Sequence, residues 1–151
     1  MPPLVLYAAI VGLVIPILGC SKQVRDSDIR YVSLPEVRQR QLDVEDGRSS
    51  RVLIIDPRST ARYGRGHIPS AINFGLADAP EEGPTDARLE GFDRLVVYGD
   101  NPASAVAKAM AKRLIALGYG RDRVRWFSGG LAEWARAGLP VDVVEDEPSD
   151  D

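Results

Sequence analysis

The chain has 151 residues, of which 44% are hydrophobic and 27% charged, the size and composition of one folded domain rather than of a disordered chain. Nineteen Lys and Arg against 22 Asp and Glu leave a net charge of −3, which argues against duplex nucleic acid as a partner, since such binders are basic. A single cysteine excludes an internal disulfide, and one cysteine with one histidine excludes the usual zinc clusters; no metal and no cofactor are expected.

Residues 1–20 carry no charged side chain, and 4–18 are apolar except at Gly12 and Pro16. Fifteen helical residues at ~1.5 Å each reach ~22 Å, short of a ~30 Å hydrocarbon core and closer to the apolar region of a secretory signal. The run ends Ile17-Leu18-Gly19-Cys20-Ser21, which resembles a bacterial lipoprotein signal. That resemblance implies a signal peptide over 1–19, cleavage before Cys20, diacylglycerol on the Cys20 thiol and acylation of the new amino group. The expected location is the bacterial cell envelope, lipid-anchored and facing outside the cytoplasm, in the outer membrane if the organism has two membranes. No Lys or Arg precedes the apolar run, whereas Lys22 and Arg25 follow it; the competing reading is an uncleaved membrane anchor with an incidental cysteine. Residues 20–29 read as a lipidated N-terminus and polar tether.

Arg30-Tyr31-Val32-Ser33 reads as a first short strand, and 34–42 as a helix with Leu34, Val37 and Gln41 at helical spacing. Ser33 and Glu36 have the spacing of a capping box. Asp46, Gly47, Ser49 and Ser50 mark a loop. Val52-Leu53-Ile54-Ile55, running into Asp56-Pro57, has the continuous apolar pattern of a buried parallel strand. Ala71-Ile72-Asn73-Phe74 reads as another strand and 75–91, rich in Gly, Pro, Asp and Glu, as a loop. Leu95-Val96-Val97-Tyr98 is a third apolar run. In the helix expected after it, Asn101 is placed at the N-cap and Pro102 at the first helical position, with Val106, Met110, Leu114 and Leu117 on one face. Gly118 suits the position past its end. Val124 to Phe127 is a fourth run, and Gly129-Gly130 opens a last helix over 131–137. Strand and helix alternate, so the expected fold is α/β: a central parallel sheet with helices on both faces, and a ligand site at the strand carboxyl ends, in the loop after Tyr98. The acidic tail is placed at 142–151; its last seven residues hold five acids and no base, and without them the net charge is +2.

Val52-Leu53-Ile54-Ile55-Asp56-Pro57-Arg58, then Tyr63, then Gly66-His67-Ile68-Pro69-Ser70-Ala71-Ile72-Asn73, resembles the first signature of the rhodanese-like domain. The second half is similar too: Leu95-Val96-Val97-Tyr98, Ala116-Leu117-Gly118-Tyr119, Val124-Arg125-Trp126-Phe127-Ser128-Gly129-Gly130, and Trp134 with Gly138-Leu139-Pro140-Val141. The resemblance runs over 30–141 and implies the rhodanese-like fold. Ser70 stands where the family usually has glycine.

Active rhodanese-like enzymes carry a catalytic cysteine directly after the strand that here ends at Tyr98. Its thiolate accepts a sulfane sulfur as a persulfide, which requires a thiol activated by backbone N–H groups and a nearby cation. By the resemblance, the matching position is Gly99. Asp100-Asn101-Pro102-Ala103-Ser104 contains no Arg or Lys, Asp100 adds negative charge and Pro102 removes an amide donor. The loop Gly99, Asp100, Asn101, Pro102, Ala103 and Ser104 therefore reads as vestigial, with no catalytic residue. Candidate ligand-binding residues are Asp56, Arg58, His67 and Ser104, although the plainer reading of Asp56 and Arg58 is a structural pair at a strand end. Ser104 as a nucleophile with His67 as base is the other chemistry the residues offer; the plainer reading puts Ser104 in the first helical turn and makes His67 structural. Arg121, Arg123 and Arg125 read as a solvated rim, and Trp126 and Trp134 as core.

The expectation is a catalytically inactive, membrane-anchored binding or interaction module, taking an unknown protein or small ligand at the 99–104 loop. An enzyme of different chemistry using the same cleft, or a sulfur-relay partner, stands as the alternative.

Overall fold

The computed structural model describes residues 23–48, 51–83 and 86–144. The signal, Cys20 and the acidic segment 145–151 lie outside the described residues. Five parallel strands form one sheet in the order β1-β5-β4-β2-β3: β1 Arg30–Tyr31, β2 Val52–Asp56, β3 Ile72–Asn73, β4 Arg94–Tyr98 and β5 Val124–Phe127. The helices are α1 Leu34–Glu45, α2 Thr60–Arg65, α3 Ala105–Leu114 and α4 Gly130–Arg136. Among the described residues, no helix is long and apolar enough to cross a membrane.

β2 and β4 are apolar on both sides along their buried lengths because both sides are covered, while β5 carries the half-buried Arg125 on one side. Their alternation divides the core. Leu53 and Ile55, Leu95 and Val97, Val124 and Trp126 pack on α3 through Ala107, Met110, Ala111 and Leu114. Val52 and Ile54, Val96 and Tyr98, with Phe127, pack against Val37 of α1, Trp134 of α4 and Ile68. Fully buried Trp134 donates its indole N–H to the Pro140 carbonyl at 2.7 Å, closing the turn after α4. Trp126 is likewise buried.

At α1 the expected capping box forms: the Ser33 N–H donates to the Glu36 carboxylate at 3.0 Å. That bond holds the Glu36 carboxyl below its ordinary pKa. Three local expectations differ. The end of the expected tether is packed: Val24 and Ile29 join the core, Asp26 bridges Lys108 and Lys112, and Asp28 pairs with Arg121 at 3.0 Å. The buried face of α3 contains the expected Met110 and Leu114 but is centred on Ala107 and Ala111, which lets the helix lie close on the sheet, with Val106 half-buried and Leu117 packed at the core's margin. Residues 142–144, expected as part of the tail, form a strap along α2: Asp142 and His67 exchange backbone hydrogen bonds at 2.9 and 3.0 Å, and the Val144 N–H donates to the Gly64 carbonyl at 2.9 Å.

Ser70 has φ +65°, the left-handed region where a side chain is strained and glycine is not. The departure from glycine at this turn therefore carries a conformational cost.

Candidate functional site

Two loops leave the carboxyl ends of adjacent strands and meet. The first follows β2. Asp56 is fully buried and its carboxylate accepts from the Arg58 backbone N–H at 3.0 Å, from Arg58 Nε at 2.9 Å, from Arg58 Nη2 at 2.6 Å and from the Tyr98 hydroxyl at 2.6 Å. Arg58 Nη2 also donates to the Gly66 carbonyl at 2.6 Å, and the Tyr98 oxygen accepts from the Ile68 N–H at 3.1 Å. Asn73 Nδ2 donates to the carbonyls of Asp56 and Arg58 at 2.9 and 2.8 Å, tying β3 to the same loop. Burial lowers the affinity of Arg58 for its proton, but the hydrogen bonds and charge of Asp56, supported by Asp100, leave its pKa raised above the ordinary value. Burial, then the Asp56 charge, pushes the Tyr98 phenol well above its ordinary range. Buried charge is tolerable only when paired and hydrogen-bonded, and here the donors of Arg58 are directed inward.

The second loop, Gly99 to Ser104, follows β4. Its carbonyls are taken by the start of α4: the Leu131 N–H donates to Gly99 O at 2.8 Å and the Ala132 N–H to Asp100 O at 2.9 Å. Gly130 makes this approach with φ +62°, and a Cβ there would lie 2.4 Å from Gly99 O. Asn101 does not cap α3. Its Oδ1 accepts from the Ala103 N–H at 2.9 Å, a local turn that competes with capping, and Ser104 is the N-cap residue, its hydroxyl making no cap hydrogen bond. Pro102 accordingly lies in the turn and not in the helix. The Ser104 side chain instead covers Gly99: a Cβ built on Gly99 would meet Ser104 Oγ at 2.1 Å, Ser104 Cβ at 2.5 Å and Ala107 Cβ at 3.0 Å.

Asp100 joins the two loops. Its carboxylate pairs with Arg58 Nη1 at 3.0 Å and with Arg62 Nη1. Beside it opens a cleft of about 440 Å³ walled by Arg58, Arg62 and Arg65 on one side and by Asp100, Asn101 and Leu131 on the other. Sequence reasoning misses Arg62 and Arg65: α2 has six residues, and Arg58 precedes its N-cap Ser59, so no helical spacing ties the three arginines together.

Of the sequence candidates, Asp56 and Arg58 form the buried pair, and Ser104 lies over Gly99. His67 is elsewhere: it is buried, stacked on Tyr63 with centroids 3.8 Å apart, and its Nδ1 lies 3.1 Å from the Tyr63 carbonyl. No hydrogen bond joins Ser104 to His67. Arg121, Arg123 and Arg125 are engaged with Asp28, with the Phe92 carbonyl and with the Arg121 carbonyl. Among the described residues no group of His, Cys, Asp and Glu could hold a metal ion.

The family profile described as "Rhodanese-like domain" matches residues 39–137. The chain is 31% identical over 116 residues to a protein named "Sulfurtransferase" from Allochromatium vinosum, covering 75% of this chain and 94% of that one. It is 38% identical over 94 residues to the HTH-type transcriptional regulator Rv0324 of Mycobacterium tuberculosis, covering 62% of this chain but only 39% of the regulator. Among solved structures, the BH2092 protein of Bacillus halodurans superposes with a TM-score of 0.61 at 23% identity, over 76% of this chain and 77% of that one, a likeness of fold. With two thirds of its length matched by one profile and its sheet ordered as found here, the chain belongs to the rhodanese-like domain family.

Proposed function

We propose that this protein is a catalytically silent rhodanese-like domain, a binding module that holds a protein or small ligand in the cleft beside residues 99–104. The observation that carries this reading is Gly99 under Ser104. Residue 99 has no thiol, and the serine side chain occupies the space a Cβ would need. Asp100 adds to it, since it places a carboxylate on Arg58 and Arg62, where an incoming anion would otherwise find its cations. A sulfur carrier needs a polarizable thiolate beside free positive charge; no thiol stands at this mouth, and Asp100 holds two of the three arginines that line it. A hydrolase built on Ser104 and His67 lacks the nucleophile–base hydrogen bond such chemistry requires.

The same reading places the module outside the cytoplasm on lipid attached to Cys20, in the outer membrane of a two-membrane organism, on the strength of the apolar run and the cysteine that ends it. Thiosulfate:cyanide sulfurtransferase turnover by the purified full chain tests the activity: no thiocyanate above the protein-free blank is expected, and turnover lost on altering a residue of 99–104 would overturn the proposal. Intact mass of the native protein tests the anchor, with acyl chains expected and absent after Cys20→Ala.

A further inference from the structure

We propose that the arginines gathered at the amino ends of the strands, Arg30, Arg40, Arg94 and Arg125, form a docking surface for a carboxylate-rich segment of a partner protein. The surface lies at the end of the sheet opposite the cleft, and the inference does not rest on the cleft being catalytically silent. Arg30 and Arg94 open β1 and β4, and Arg125 is the second residue of β5. The register sets Arg30 beside Arg125 and Arg125 beside Val96. Alternation puts Arg94 on the same side as Val96, the side that α1 covers. Arg40 is carried by α1. Burial, then the charges of Arg94, Arg30 and Arg40, hold the Arg125 guanidinium below its ordinary pKa.

These four cations are held in place without being neutralised. Arg94 Nη1 donates to the Asp122 carbonyl, and Arg125 Nη1 donates to the carbonyls of Arg121 and Val124 at 2.8 and 3.1 Å. A carbonyl orients a guanidinium but leaves its charge uncancelled. Arg40 makes no hydrogen bond or ion pair among the described residues. Of the four, Arg30 alone is ion-paired among the described residues, with Asp122 at 3.0 Å. The other carboxylate nearby, Glu36, is taken by the Ser33 N–H and hydroxyl at 3.0 and 2.8 Å. Four arginines and two carboxylates leave a local charge of +2 on a chain whose net charge is −3. Neighbouring cations are matched: Arg51 meets Asp93 at 2.6 Å and Arg121 meets Asp28 at 3.0 Å. Guanidinium forks already oriented lose little freedom on meeting a carboxylate, which each can grip with two N–H groups. A nucleic-acid strand or an anionic bilayer presents one sign of charge and would meet Asp122, 81% exposed, and Glu36 among the arginines. A protein segment can set a cation or an amide of its own against those two acids. Tyr31, 61% exposed on the edge strand β1 beside Arg30, adds the aromatic surface that, with arginine, is enriched where proteins meet.

The test uses the full chain and a hexaglutamate peptide, with binding followed by NMR at the arginine Nε–H groups. The signals of Arg30, Arg40, Arg94 and Arg125 are expected to move together and to saturate, at a lower peptide concentration than any response of Arg62 and Arg65 at the cleft. Salt screens exposed pairs, so ~0.5 M NaCl should abolish the shifts. Arg94→Gln combined with Arg125→Gln should weaken binding about three- to tenfold, and Arg40→Gln, which breaks no hydrogen bond, about twofold. Asp122→Asn should strengthen it about two- to threefold, a gain that a damaged fold would not produce. Shifts confined to Arg62 and Arg65, or an affinity unchanged by both Arg40→Gln and Asp122→Asn, would overturn the proposal. So would inorganic phosphate moving the four signals at a concentration no higher than the peptide needs, which would mark a small-anion site. Phosphatidylglycerol vesicles moving them where the peptide does not would assign the surface to lipid and likewise overturn it.

Discussion

The loops that leave β2 and β4 start on neighbouring strands and end in the same cleft, yet they are built from different materials. The β2 loop is held by side chains: Asp56, Arg58 and Tyr98 bond one another in a buried network, and the half-buried Asn73 amide donates to the loop's carbonyls. The β4 loop is made of backbone: Gly99 and Asp100 offer carbonyls to α4, and its shape depends on the missing side chains of Gly99 and Gly130. The first loop is fixed by charge that cannot be left unpaired. The second is fixed by close approach, and Asp100 alone reaches from it into the network. The cleft floor is consequently cross-linked by buried hydrogen bonds, while its other wall is a loop with no side chain at its first position.

Removing charge from the β2 loop should have the largest effect. Asp56→Ala leaves Arg58 buried without its main partner and is expected to cost about 3–5 kcal/mol by chemical denaturation. A loss under ~1 kcal/mol would show that Asp100 and the Gly66 carbonyl suffice, and the contrast between the loops would fail. Adding a side chain to the β4 loop comes next. Gly99→Cys drives a Cβ into Ser104 and Ala107 and is expected to cost about 1–3 kcal/mol, most of it recovered when Ser104→Gly is combined with it. A single variant as stable as the parent would mean that the loop moves freely.

Tyr98 is shared by both loops, and Tyr98→Phe should cost about 1–3 kcal/mol, since it strips a donor from Asp56 and an acceptor from the Ile68 N–H. It also carries a pH signature. Burial and Asp56 raise its pKa in the folded state, while the unfolded chain ionises near ~10. Its contribution is therefore complete below that pH and is lost as pH rises above it. Denaturation midpoints between pH 8 and 11 should fall more steeply for the parent than for Tyr98→Phe. The smallest effect lies outside both loops: Ser70→Gly relieves a left-handed φ and should stabilise by ~0.5–1 kcal/mol, read as a raised melting temperature.

The same contrast explains what was legible in the sequence. Continuous apolar runs announce β2 and β4 because a strand covered on both faces has no polar side to hide, and β5 is announced by a run that Arg125 alone interrupts. Ser33 and Glu36 announce the start of α1 because a capping box is local. Asp56 and Arg58 are readable as a pair for the same reason. The N-cap of α3 is not: Asn101 has the right side chain, but it spends its oxygen on the Ala103 amide, and nothing in the order of residues says which amide wins. The packing of Ser104 on Gly99 is also invisible, because it depends on where α3 and α4 place backbone. α2 has six residues, too few for a periodic pattern, and with it Arg62 and Arg65 escape notice.

The account turns on whether the folded domain can carry sulfur. The direct measurement is to incubate the full chain with thiosulfate, separate protein from small molecules, and quantify cyanolysable sulfur on the protein. No sulfur above that on a heat-unfolded control is predicted. One transferable sulfur per chain, retained by the native protein, would contradict it.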